Sequence, residues 1–279
     1  MGFGRIVRRP IVRQIWRELT APKGERGRFE EIGIEIDPRT GQRHERLGGF
    51  QIFERLLSDP ELLDQETHTY ILPLRQRKHL IVGAMGGSSL PMKTYLEAFA
   101  DLLPGRQPSW HLLDSTNPAI LDAFWQELTS RIDPSEEERR QALEASTFVF
   151  VSKSGTTVET LSHFDYIVSQ YGEFHIDPTT HIILLTDPDS GFEKEPQYAA
   201  YPKVPIQVDR EKDIGGRFTP PGTRASLWLL GLLIGQELRP TFEAARAMHV
   251  YEDAADDPWL FSGVRLAELA RRGRDLITY

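Results

Sequence analysis

The chain has 279 residues, 39 % hydrophobic and 27 % charged, which is enough apolar sequence for a sizeable core. A formal net charge of −8 excludes a general nucleic-acid role, which needs a basic face; the absence of cysteine excludes disulfides and thiolate metal sites and fits a cytoplasmic protein. The longest strongly apolar stretch, ASLWLLGLLIG at 225–235, falls short of the ~20 residues that cross a bilayer, so no membrane partner is expected.

The chain opens with a basic stretch: Arg5, Arg8, Arg9, Arg13, Arg17, Lys23, Arg26 and Arg28. No apolar core follows these charges, as a secretory signal requires, so the segment reads as a solvated arm or an amphipathic helix. Residues 1–75 form an N-terminal arm with short helical or irregular pieces. From His79 the pattern becomes regular. HLIVGAM (79–85) reads as a buried strand, and SSLPMKTYLEAFADLL as the helix after it. WHLLDS (110–115) is the next strand. Asn117 then offers an N-cap ahead of Pro118. PSEEERRQALEA (134–145) starts a further helix, with three glutamates placed favourably for the helix dipole.

TFVFVS (147–152), HIILLTD (181–187) and VPIQVD (204–209) are the third, fourth and fifth strands, with a helix over 157–171 between the first two. Helices are expected at about 222–236, 240–254 and 258–273, and DLITY closes the chain. Strands alternating with helices predict an α/β three-layer sandwich: a mostly parallel, doubly wound sheet of about five strands, buried on both faces. The expected organisation is a domain over 76–255, then a linker helix and a strand over 256–279. In such sheets ligands gather at the carboxyl ends of the strands, which selects 83–89, 114–117 and 152–157.

The third of these is the most informative. In VSKSGTT, Gly155 permits a sharp turn or a close approach, and Thr156 or Thr157 opens the next helix. The first N–H groups of a helix lack internal partners and face the positive end of its dipole. With the hydroxyls of Ser152, Ser154 and Thr157 and the amine of Lys153, this forms a site for an anion such as phosphate. An equally simple reading is a capping box between Thr156 and Glu159, which needs no ligand. GAMGGSSL (83–90) is a second glycine turn with hydroxyls. It matches neither the dinucleotide fingerprint nor a P-loop, and a tight strand–helix turn also explains it. DIGGRF (213–218) places Arg217 after paired glycines. That arginine either stabilises a developing oxyanion or forms a structural ion pair. TDPDSG (186–191) reads as a turn, and His163 and His181 as packing or surface residues. The eight histidines form no metal-ligand pattern, so no metal is expected.

Taken together, GAMGGSSL, VSKSGTTVET and DIGGRF resemble, in order and spacing, the phosphoglucose isomerases, which have the sugar isomerase (SIS) fold. The series is especially similar to the isomerase module fused to transaldolase. The resemblance covers about residues 75–279. It implies that Gly87 and Ser88 contact a sugar phosphate, that Ser152, Lys153, Ser154 and Thr157 wrap it, and that Arg217 lies near the reacting carbons. It implies interconversion of glucose 6-phosphate and fructose 6-phosphate through a cis-enediol, with no metal or organic cofactor, usually in a dimer. The family's glutamate base lies in a second SIS domain, its ring-opening histidine and C-terminal lysine lie beyond the region matched here, and none has a counterpart found in this chain. The expectation is therefore a catalytically incomplete isomerase, with a homodimer or a second chain as partner. A non-catalytic phosphosugar sensor and an isomerase for another sugar such as mannose 6-phosphate are the alternatives.

Overall fold

The computed structural model describes residues 34–36, 41, 43–45, 56–99, 108–208, 223–235 and 238–249. The chain divides into two compact units, Met1–Glu45 with Thr241–Tyr279, and Arg46–Pro240. In the first, strands β1 (Ile34–Ile36) and β2 (Arg43–Glu45) pair antiparallel. The expected helix at 258–273 and the closing DLITY strand lie outside the described residues.

The larger unit is built on a five-stranded sheet. Its strands are β3 (His79–Ala84), β4 (Ser109–Leu113), β5 (Ser146–Val151), β6 (Ile182–Thr186) and β7 (Lys203–Pro205). Their order is β4-β3-β5-β6-β7, and all four pairings are parallel. All five expected strands are present. β3 and β5 are buried along their whole length, as continuous apolar runs in a covered sheet should be.

One face carries Ile81, Phe148, Phe150, Ile182 and Leu184, packed with helix residues Phe124, Phe164, Ile167 and Tyr171. Aromatic rings dominate there. Phe150 and Phe164 meet edge to face at 5.5 Å, and Phe164 and Tyr198 at 5.3 Å. The other face carries Leu80, Val82, Val149, Val151 and Leu185, also buried. The doubly wound α/β sandwich expected from the sequence is therefore the fold.

Among the described residues the helices include α1 (Pro60–Glu66), α2 (Leu72–Arg75), α3 (Leu90–Ala98), α4 (Pro118–Thr129), α5 (Glu136–Glu144), α6 (Val158–Glu173), α7 (Gly191–Lys194), α8 (Arg224–Ile234) and α9 (Leu238–His249). A π-turn, Thr67–Ile71, joins α1 to α2, and the Leu72 N–H donates to Thr67 O five residues back. Pro73 explains it: proline has no N–H to give the α-helical bond to Thr69, so the ladder widens just before it. α5 begins two residues later than PSEEE implies. Ser135 is its N-cap, and a full capping box with Glu138 fixes that start. α8 is buried along nearly its whole length, which is why its sequence is apolar all round.

Candidate functional site

The switch point of the sheet lies between β3 and β5. The chain leaves β3 for β4 on one side and reaches β5 on the other, so the loops after β3 and β5 part and leave a crevice. A cavity of about 520 Å³ opens there, within the range of small-molecule sites. It is lined by Met85 and Ser88 after β3, by residues 151–154 and Thr157 at the end of β5 and beyond, and by residues 187–190 after β6.

Five residues selected from the sequence thus share one cavity: Ser88, Ser152, Lys153, Ser154 and Thr157. Gly87 sits in the 3-10 turn Gly86–Ser88 beside it, without lining it. Arg217 lies outside the described residues. The flanks of its segment are described: Gln207 bridges Thr223 antiparallel, and Gln207 Nε2 donates to the carboxylate of Asp187 in the cavity wall.

The 152–157 loop is largely self-supporting. The Gly155 N–H donates to Ser152 Oγ at 3.1 Å, and the Thr156 N–H to Ser154 Oγ at 3.2 Å. Ser152 Oγ and Thr157 Oγ1 share a hydrogen bond of 3.0 Å, as do Ser154 Oγ and Thr156 Oγ1 at 2.8 Å. The amides of Gly155 and Thr156 are therefore occupied inside the turn and are not donors to a ligand. The start of α6 differs. Thr157 is its N-cap, and no side chain caps the helix. The capping box between Thr156 and Glu159 does not form, because Thr156 stands outside the cap position. The uncapped first turn of α6 opens beside the cavity, at the positive end of the dipole.

Gly155 has φ +65°, a conformation glycine adopts without strain. A Cβ there would stand 2.4 Å from the Phe192 nitrogen and 2.8 Å from the Gly191 nitrogen. The close approach is thus to the β6–α7 turn. That turn is bonded to the loop twice: Gly191 N–H to Ser154 O at 2.8 Å, and Asp187 N–H to Lys153 O at 3.2 Å. Thr186 Oγ1 adds a bond to Ser152 O at 2.8 Å. TDPDSG is a turn, as its composition indicates. It is also a wall of the cavity, which its composition does not reveal.

The stretch 114–117 has another use. Asp114 pairs with Lys93, Asn117 caps α4 through Ala119 N–H, and Ser115 O meets His163 Nε2 at 2.9 Å. None of these residues lines the cavity. His163 is buried and His181 stacks on Tyr171, so both are packing residues. The histidines whose protonation burial opposes do not line the cavity: His79 is the first residue of β3 and His111 stands in the middle of β4. Burial, with His111 and Lys78 adding, holds His79 at about 4, and burial lowers His111 despite its Glu127 partner. Among the described residues, no cluster of His, Cys, Asp or Glu fits a metal ion.

No family model matches the chain. A probable glucose-6-phosphate isomerase of Haloquadratum walsbyi is 25 % identical over 193 residues, covering 67 % of this chain and 40 % of the relative. One of Haloarcula marismortui is 27 % identical over 163 residues, 57 % and 32 % of the two chains. The chain therefore spans less than half the length of these curated relatives. Among solved structures, a glucose-6-phosphate isomerase of Chlamydia trachomatis superposes with a TM-score of 0.64 at 18 % identity, over 96 % of this chain and 48 % of that one. A hypothetical protein of Thermus thermophilus gives 0.57 at 21 % identity, over 93 % and 52 %. At these identities the structural likeness establishes the fold.

Proposed function

We propose that this chain, similar in sequence to probable glucose-6-phosphate isomerases and sharing their fold, binds a hexose 6-phosphate in the β3–β5 crevice. The observation that carries this reading is the convergence of Ser88, Ser152, Lys153, Ser154 and Thr157 on one cavity. The phosphate lies against the hydroxyls of Ser88 and Thr157 and the first turn of α6, with Lys153 supplying positive charge. The hydroxyls hold the turn as well as the ligand: Ser152 is engaged with Gly155 and Thr157 and sets the loop's shape.

The reaction we assign is aldose–ketose isomerisation between glucose 6-phosphate and fructose 6-phosphate. Its proton transfer needs a positioned base. Of the described residues lining the cavity, none is histidine or glutamate; the carboxylates among them are Asp187 and Asp189. Following the resemblance, the base is assigned to a second SIS domain, which a partner chain would supply, with Arg217 of this chain near the reacting carbons. Leu90, Ile120 and Val158 support such a partner. They lie in the first turns of the helices after β3, β4 and β5, on the edge where the cavity opens, and Val158 is 71 % exposed.

The same lack of a histidine or glutamate among the described residues of the wall favours a second reading, a phosphosugar-binding module without turnover. Both are tested by incubating the purified chain with fructose 6-phosphate and measuring glucose 6-phosphate formation and binding. Binding with little or no turnover is expected. Robust turnover by the chain alone overturns the assignment of the base to a partner, and absence of binding overturns the site.

A further inference from the structure

A second cavity, of about 350 Å³, shares no lining residue with the crevice and falls within the range of small-molecule sites. It lies inside the larger unit, where α1, the π-turn and α2 meet the end of α8 and the start of α9. Its floor is apolar: Leu63, Ile71 and Leu238 are each 4 % exposed or less. Two glycines make the hollow possible. A Cβ on Gly231 would stand 2.4 Å from Ile71 Cδ1, so a bare backbone on α8 is what lets Ile71 lie there. Gly235 ends α8 with φ +61°, and a Cβ on it would stand 3.1 Å from Arg75 Nη2, in the space the guanidinium needs.

The polar part of the lining is cationic. Arg75 Nη2 donates to Gly231 O at 3.1 Å and to Leu232 O at 3.4 Å, which anchors it at the negative end of the α8 dipole. Those bonds account for Arg75 as a cap of α8. They leave its Nε and Nη1 without an acceptor among the described residues. Arg239 enters the same lining, and among the described residues it forms no ion pair. Asp64 lines the cavity too and pairs with neither arginine. Two guanidinium charges against one carboxylate leave a surplus of one positive charge. That surplus matches a carboxylate, which accepts charge-assisted hydrogen bonds from arginine; a phosphate dianion exceeds it.

We propose that this cavity is a second ligand site, separate from the crevice, for a small organic acid: a carboxylate held by Arg75 and Arg239, on an apolar body that rests against Leu63, Ile71 and Leu238. Burial of the body supplies affinity, and the two arginines select for the charge. The site does not depend on the crevice holding a sugar phosphate.

The test is an amide-resolved NMR titration of the full chain with phenylacetate. Phenylethanol, which keeps the body and lacks the charge, and inorganic phosphate, which has charge and no body, are the comparisons. Phenylacetate binds with a Kd of about 1 mM or tighter and shifts amides within 63–75, 231–235 and 238–239. Phenylethanol binds there about tenfold more weakly, the worth of a hydrogen bond to a charged group, and phosphate gives no saturable shift there. Arg239→Gln, which breaks no ion pair among the described residues, lowers phenylacetate affinity about tenfold and leaves the melting temperature and the affinity for fructose 6-phosphate unchanged. No saturable shift by phenylacetate in these segments, equal affinity for either comparison compound, or an Arg239→Gln protein that binds phenylacetate like wild type overturns the proposal. Fructose 6-phosphate is titrated into the same sample, and its shifts decide the crevice independently.

Discussion

Replacing Gly155 by alanine tests the geometry of the site at its tightest point. Two costs follow from the structure. The first is conformational: φ is +65°, and a residue with a Cβ pays roughly 1–2 kcal/mol to remain there. The second is steric. The new Cβ would stand 2.4 Å from the Phe192 nitrogen and 2.8 Å from the Gly191 nitrogen, and both are backbone atoms that no rotamer change can move aside. The 152–157 loop and the β6–α7 turn must separate, which stretches the Gly191-to-Ser154 and Asp187-to-Lys153 bonds. Each is worth about 1 kcal/mol. The sum is about 3–4 kcal/mol, or a fall of roughly 10 °C in melting temperature for a domain of this size. Because the two walls of the cavity part, fructose 6-phosphate affinity falls as well. Urea denaturation and calorimetric titration measure the two effects. A Gly155→Ala protein within about 1 kcal/mol of wild type, with unchanged affinity, contradicts the view that backbone contact at this glycine sets the site.

Other outcomes follow from single contacts. Thr157→Val keeps the shape but removes the hydroxyl shared with Ser152; phosphate affinity falls about tenfold while stability drops by about 1 kcal/mol, checked by titration and melting. Glu66→Ala leaves Arg224 buried without its carboxylate and lowers the unfolding free energy by about 3–5 kcal/mol in urea. His79 titrates at about 4 in the folded chain against 6.5 unfolded, so between those values the unfolded chain binds more protons and stability falls as pH drops from 6.5 to 4, then levels off. After solvent screening the loss is at most about 2 kcal/mol, and His79→Gln flattens the stability profile over that window.

The sheet was legible because its strands are continuous apolar runs between glycine turns, as in HLIVGAM and TFVFVS. The two walls of the cavity that follow β3 and β5 were legible for the same reason: each is a local turn of glycine and hydroxyl residues. The third wall was not. TDPDSG reads as a turn, and only the contact of Gly155 with Gly191, 36 positions along the chain, makes it part of the site. Glu66 and Arg224 lie 158 positions apart, and no local pattern marks either as buried. The cap of α6 was misplaced by one residue for a related reason. Gly155 turns into the left-handed region and Thr156 then pairs with Ser154, so the chain enters the helix at Thr157.

The most direct test of the whole account is an amide-resolved NMR titration of the chain with fructose 6-phosphate. Perturbed amides should cluster at 86–89, at 157–160 and in the 187–190 turn, and be absent at His79, at the opposite end of β3. Saturable shifts confined elsewhere, or no saturable shift at all, would show that the β3–β5 crevice does not hold a sugar phosphate.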